Sequence, residues 1–219
     1  MILQRYAIAV LAAITLISAT AMNTLACACC SEPGTYYLRT AKPDSYEIDL
    51  ISQFRFAPKA KLYMTEAGFE MIEGLDTVKK EDEAMEASIS DGFDLAAAFT
   101  NRRVWKFEFS TPKGQKGSIM LPMPTQMVSF GADIHDSEDH GHGPLLYKEF
   151  RFKGNVGTAT GFMTAGITRA TTYFLVFQGR GRGCNEVGDF RNWRLEVEGP
   201  RAGYAFFGKL SSADKPQSE

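Results

Sequence analysis

The residues of this chain best suited to chemistry fall in one short stretch. All three of its histidines, His135, His140 and His142, lie in Ile134-His135-Asp136-Ser137-Glu138-Asp139-His140-Gly141-His142-Gly143. Neutral imidazole binds zinc or copper well. A neighbouring carboxylate serves as a further ligand or as the acceptor that orients the ring. In an extended chain His140 and His142 project to the same side. This composition predicts a zinc or copper site formed by His135, His140 and His142 with Asp136 and Asp139. The spacing matches no defined zinc signature, and the same residues also describe a polar connection between two strands. Met120, Met123 and Met127, set around Pro122 and Pro124, add thioethers that suit copper(I). Met120 and Met127 fall on apolar stretches, however, and read as adaptable core filler.

A second candidate is Gly179-Arg180-Gly181-Arg182-Gly183-Cys184-Asn185-Glu186. Glycine lets backbone N–H groups approach a ligand, and the forked guanidinium matches a carboxylate or phosphate. Arg180 and Arg182 are therefore expected to favour an anion. No strand-to-helix context follows, which excludes a phosphate-binding loop of the nucleotide-binding kind. The alternative is a glycine-rich hairpin loop pinned by Cys184.

The cysteines are unevenly placed. Cys27, Cys29 and Cys30 share one tetrapeptide, and Cys184 lies far downstream. A bond between the adjacent Cys29 and Cys30 is geometrically strained. The expected disulfide joins Cys30 to Cys184, with Cys29 as the alternative partner. Closing so long a loop contributes about 4 to 5 kcal/mol in the chain-entropy account. Cys27 also reads as a lipid-modified terminus, although Thr24-Leu25-Ala26 places its Leu one position away from the usual pattern. A thiolate metal site lacks the paired CxxC spacing, and no CxxCH is present for covalent haem.

These residues need elements to hold them, and the dominant pattern after residue 100 has a period of two. Trp105, Phe107 and Phe109 alternate with Lys106 and Glu108. Phe150 and Phe152 alternate with Glu149, Arg151 and Lys153. Trp193, Leu195 and Val197 alternate with Arg194 and Glu196. Each is the signature of a half-buried strand. Thr171 to Phe177 is apolar on both faces, as expected of a central strand. Further strands are expected at Tyr46–Phe56, Lys61–Met64, Asp94–Phe99, Ser118–Leu121, Met127–Phe130, Gly157–Met163 and Tyr204–Phe207. The Asp94–Phe99 run is expected to form a hairpin with Val104 onward. Val78 to Glu86 reads as a surface loop or short helix. Turn residues recur between the strands, at Pro112-Lys113-Gly114, Lys153-Gly154-Asn155 and Gly199-Pro200. This spacing predicts an all-β fold: one antiparallel sandwich or barrel-like domain of about nine to eleven strands over residues 36–210. Residues 27–35 form a cysteine-bearing lead-in, and residues 211–219 a frayed tail.

The first 26 residues read as an export signal. Arg5 supplies the positive start, Ala7 to Ala21 the apolar middle, and small residues offer cleavage points between 21 and 28. The apolar run is short for a spanning helix. The chain is thus expected to be periplasmic, secreted or lipid-anchored. With 24 basic against 26 acidic residues, it lacks the positive charge that nucleic-acid binding needs. Membrane contact is expected only through a lipid on Cys27.

No Gly-x-Ser-x-Gly or HExxH motif is present, so no catalytic residue is assigned. The preferred reading is a non-enzymatic exported domain that binds a small molecule or a protein. The second is an exported zinc- or copper-binding protein using the His135–His142 loop. A hydrolase of undefined type ranks last.

Overall fold

The computed structural model describes residues 36–64, 89–133 and 146–211. The expected export signal, the Cys27–Cys30 cluster, Val78 to Glu86 and the histidine stretch lie outside these residues. The described chain is all-β. Eleven strands form one antiparallel sheet: β1 (Tyr36–Ala41), β2 (Arg55–Met64), β3 (Ile89–Thr100), β4 (Val104–Ser110), β5 (Lys116–Pro122), β6 (Met127–Asp133), β7 (Leu146–Asn155), β8 (Ala159–Gly161), β9 (Thr172–Gly181), β10 (Phe190–Gly199) and β11 (Ala202–Ser211). Their order across the sheet is β1-β6-β7-β9-β10-β11-β2-β3-β4-β5-β8.

The period-two pattern turns into a filled interior. Trp105, Phe107 and Phe109 of β4, Phe150 and Phe152 of β7, and Trp193, Leu195 and Val197 of β10 are all at most 1% exposed. Ring contacts show how the sheet must bend. Trp105 lies 4.8 Å from Phe152, Phe107 5.4 Å from Trp193, and Phe109 4.0 Å from Phe206 of β11. In sheet order β11, β2 and β3 separate β4 from β10. The sheet therefore folds over until β4 faces β7 and β10 across one core. The segment between β7 and β8 touches both flanks: Val156 N donates to Thr171 O, while Gly157 N donates to Met120 O of β5.

The expected β3–β4 hairpin is present, in register from Asp94↔Ser110 to Thr100↔Val104. Arg103 N donates to Thr100 O across the turn. In this three-residue connection Asn101 (φ 51°) and Arg102 (φ 54°), central in the Thr100–Arg103 turn, both sit in the left-handed region that matches strand twist. Of the expected run Thr171–Phe177, Thr172–Phe177 falls in β9, the fourth strand in the order. Tyr173, Leu175 and Phe177 face the core, and Val176 on the opposite face is also 1% exposed. Val176 is flanked in register by Arg151 and Arg194, whose long arms suit such cover.

Two expectations are corrected. Tyr46–Phe56 is not one strand: Ser45–Ser52 is a helix, α1, and β2 begins only at Arg55. Asp44 caps it through a reciprocal capping box with Glu47. Glu47, Leu50 and Ile51 are its buried face, at helical spacing. Gly157–Met163 is a strand only over Ala159–Gly161. A 3-10 turn, Phe162–Thr164, follows, and Gly161 at φ 58° ends the extended run.

Candidate functional site

The outer face of β7, β9 and β10 carries the polar partners of the core alternation. Tyr147↔Arg180, Glu149↔Gln178 and Gln178↔Asn192 are paired positions. Between Phe190 and Asn192 the β9–β10 ladder slips by one residue. Such a bulge re-aims side chains, and here Arg191 and Asn192 both border one groove. Tyr147, Gln178, Gly179, Arg180, Arg191 and Asn192 line this groove, whose volume is about 440 Å³. Two guanidinium groups, two carboxamides and one phenol border it, and the Asn192 carboxamide oxygen already accepts from Lys209 at 2.8 Å. Beside it, the Glu149 carboxylate is already occupied by the Tyr147 hydroxyl and Arg151, both of which donate to it. Arg151 also lies 4.7 Å over the Phe130 ring. Burial, then the hydrogen bond and charge of Glu149, push the Tyr147 phenol well above its ordinary value against the opposing pull of Arg151 and Arg194. It therefore stays protonated and donates.

Next to this groove the sequence spends a buried charge. Lys148 points inward in phase with Leu146, Phe150 and Phe152, and its side chain is 1% exposed. It donates to the Cys184 carbonyl and, at 2.7 Å, to the Asp189 carboxylate. Asp189 also accepts from Glu186 N at 3.0 Å. Burial lowers the Lys148 pKa, and Asp189 opposes that shift. Two glycines make the packing possible. A Cβ on Gly179 would lie 1.7 Å from the Asp189 carbonyl oxygen, and one on Gly181 2.0 Å from its carboxylate. Tyr46 of α1 donates to the Asn185 carbonyl. The buried Glu47 accepts from Arg39 of β1 and from Asp44 N. The loop from Arg182 to Asp189 is thus held from three sides. Cys184 lies within it, and every other cysteine lies outside the described residues.

The expected site residues separate as follows. Arg180 lines the groove with Arg191; Arg182 is exposed just past the end of β9. His135, His140, His142, Asp136, Asp139, Cys27, Cys29 and Cys30 lie outside the described residues. Their roots are visible. Asp133 pairs with Leu146, Leu146 with Gly181, and Tyr36 with Ala132. Tyr36, Asp133, Leu146 and Gly181 therefore lie at the same end of the sheet. Among the described residues no group of three or more His, Cys, Asp or Glu could hold a metal. Met127 is 2% exposed, in the core.

Lys148, Asp189, Gln178, Arg191 and Asn192 were not singled out by sequence reasoning. Lys148 was legible: it falls in phase with Phe150 and Phe152, where a charge must find a partner. The bulge at Arg191 left no comparable sign.

No protein-family model matches the chain, and no curated protein or solved structure matches it.

Proposed function

We propose that this chain is an exported, non-enzymatic binding domain whose ligand is a small carboxylate held by Arg180 and Arg191. The observation that carries this reading is the groove itself, in which two guanidinium groups and three neutral hydrogen-bonding side chains border one space on a rigid sheet. Guanidinium–carboxylate pairing is strong and directional, and the amides and phenol supply orientation. The aromatic interior argues against a ligand buried inside the sheet. We further propose that the sheet closes as a barrel, with the β7–β8 segment as its seam, because that segment bonds to Thr171 beside β9 and to Met120 of β5. In this reading Cys30, or Cys29 in its place, pairs with Cys184 after removal of residues 1–26. Mass spectrometry of the exported protein tests the cleavage point, the pairing and any acyl chain on Cys27.

Calorimetric titration of the full chain with citrate tests the groove. Binding is expected, with a loss of at least ~10-fold in an Arg180→Gln, Arg191→Gln double variant, equivalent to about 1.4 kcal/mol. Equal affinity in parent and variant sinks the proposal.

A second reading is favoured by the common end of the sheet at which Tyr36, Asp133, Leu146 and Gly181 lie. Zinc or copper would be held by His135, His140 and His142 with Asp136 and Asp139. Equilibrium metal titration decides it: a His140→Ala, His142→Ala double variant that binds copper and zinc as tightly as the parent excludes this site.

A further inference from the structure

At the far end of β10 from the Cys184 loop lies a larger groove, of about 630 Å³, which no feature of the sequence announced. Gln115, Lys116, Phe162, Thr164 and Arg201 border it, together with the turn that runs from Gly161 to Gly166. The turn is wedged between the two cationic residues. Gly161 (φ 58°) lies so close to Lys116 that a Cβ would come within 1.9 Å of the Lys116 carbonyl oxygen. Gly166 (φ 74°) stands in the same relation to Arg201, at 2.0 Å. Only glycine meets both demands, a left-handed φ and backbone contact. The result is one cation on each side of a single short turn.

Neither Lys116 nor Arg201 has an ion pair among the described residues. Thr164 Oγ1 donates to the Gly161 carbonyl at 2.8 Å, which leaves its oxygen as an acceptor. Phe162 is half-buried, its ring 6.2 Å from Phe93, and it borders the groove. The combination is selective. A lone inorganic anion would match the two cations but leave the aromatic surface and most of the volume unused. A purely apolar molecule would leave both cations unmatched. A ring that carries a carboxylate and several hydroxyls uses every group: the carboxylate meets Lys116 and Arg201, hydroxyls meet Gln115 and Thr164, and the ring face rests on Phe162.

We infer that this groove binds an acidic saccharide of the uronate class. Calorimetry of the full chain at low salt tests it, with an oligogalacturonate, a neutral galacto-oligosaccharide of equal length, and inorganic phosphate as probes. The acidic oligosaccharide is expected to bind at least ~10-fold more tightly than either of the others, and a Lys116→Gln, Arg201→Gln double variant to lose at least ~10-fold, about 1.4 kcal/mol. Arg191→Gln, in the other groove, is expected to leave this binding unchanged, so the two sites fail or survive separately. The inference is overturned if the neutral sugar or phosphate binds as well as the acidic one. It is also overturned if the double variant binds like the parent, if Arg191→Gln alone abolishes binding, or if no binding is seen at millimolar concentration.

Discussion

The two ends of β10 solve opposite problems with opposite means. At the Phe190 end, a surface loop is fastened by buried charge: Lys148 reaches the Cys184 carbonyl and Asp189, and two glycines let Asp189 press against β9. At the Gly199 end no buried charge is used. Backbone contact through Gly161 and Gly166 sets the turn, and the cations beside it stay exposed and, among the described residues, without ion pairs. The contrast separates groups that hold shape from groups held out for a partner. A charge that is 1% exposed, with its donors directed at protein acceptors, is structural. Exposed cations with no ion pair among the described residues are the ones the proposed saccharide would meet.

The largest effect that would test this contrast is expected at Lys148. Lys148→Ala leaves Asp189 without its cation in a poorly hydrated place, a change that typically costs about 3 to 5 kcal/mol. Urea unfolding measures it, and a loss under about 1 kcal/mol would show that the loop is fastened elsewhere. At the other end, Gly166→Ala meets both a left-handed φ and the Arg201 carbonyl. It should lose more than Gly114→Ala, where φ is +81° but nothing lies within 4 Å of a built Cβ. Roughly 1 to 3 kcal/mol is expected for the first and about 1 kcal/mol for the second. Comparable losses at both sites would remove the role given to backbone contact.

The pH dependence follows from the tyrosines. Burial raises the pKa of Tyr147, Tyr173 and Tyr204 above the ordinary 10.0. Because the folded chain holds these protons more tightly than the unfolded chain, their contribution is intact below pH 10 and is lost as pH rises beyond it. Lys148 acts in the opposite sense. Its pKa lies below the ordinary 10.5, so the folded chain releases that proton first and gains relative stability as pH climbs toward that value. Thermal melts between pH 8 and pH 11 should show a net decline above about pH 10. The decline should steepen in Lys148→Met; a flat profile would contradict the tyrosine account. The smallest effect is expected at the exposed cations: Lys116→Gln and Arg201→Gln should change folding stability by no more than about 0.5 kcal/mol. A larger change would make them structural.

What the sequence revealed depended on how local the signal was. Alternation of Trp105, Phe107 and Phe109 with Lys106 and Glu108 states its own strand, because period two needs only neighbours. The Asp44-x-x-Glu47 spacing also stated a helix start, but the apolar residues that follow it, Leu50, Ile51, Phe54 and Phe56, read equally well as a strand without it. Arg180, which borders the groove, was legible as a candidate from its glycine-rich setting. Its companion Arg191 was not, because a bulge between Phe190 and Asn192 is set by the register of two strands and leaves no mark in one. The far groove was hidden for a related reason: Lys116, Phe162 and Arg201 are distant in sequence and meet only when β5, the turn after β8 and the β10–β11 connection come together.

The tryptophans carry a practical consequence of the filled interior. Trp105 and Trp193 are each 1% exposed, ringed by Phe99, Phe152 and Phe177 in one case and by Phe56 and Phe107 in the other. Neither borders the groove at Arg191 or the one at Arg201. Their intrinsic fluorescence is therefore a gauge of core integrity that occupancy of either groove leaves untouched. A variant that stops binding yet keeps the parent emission spectrum has lost a contact, and one whose emission shifts to the red has lost the fold.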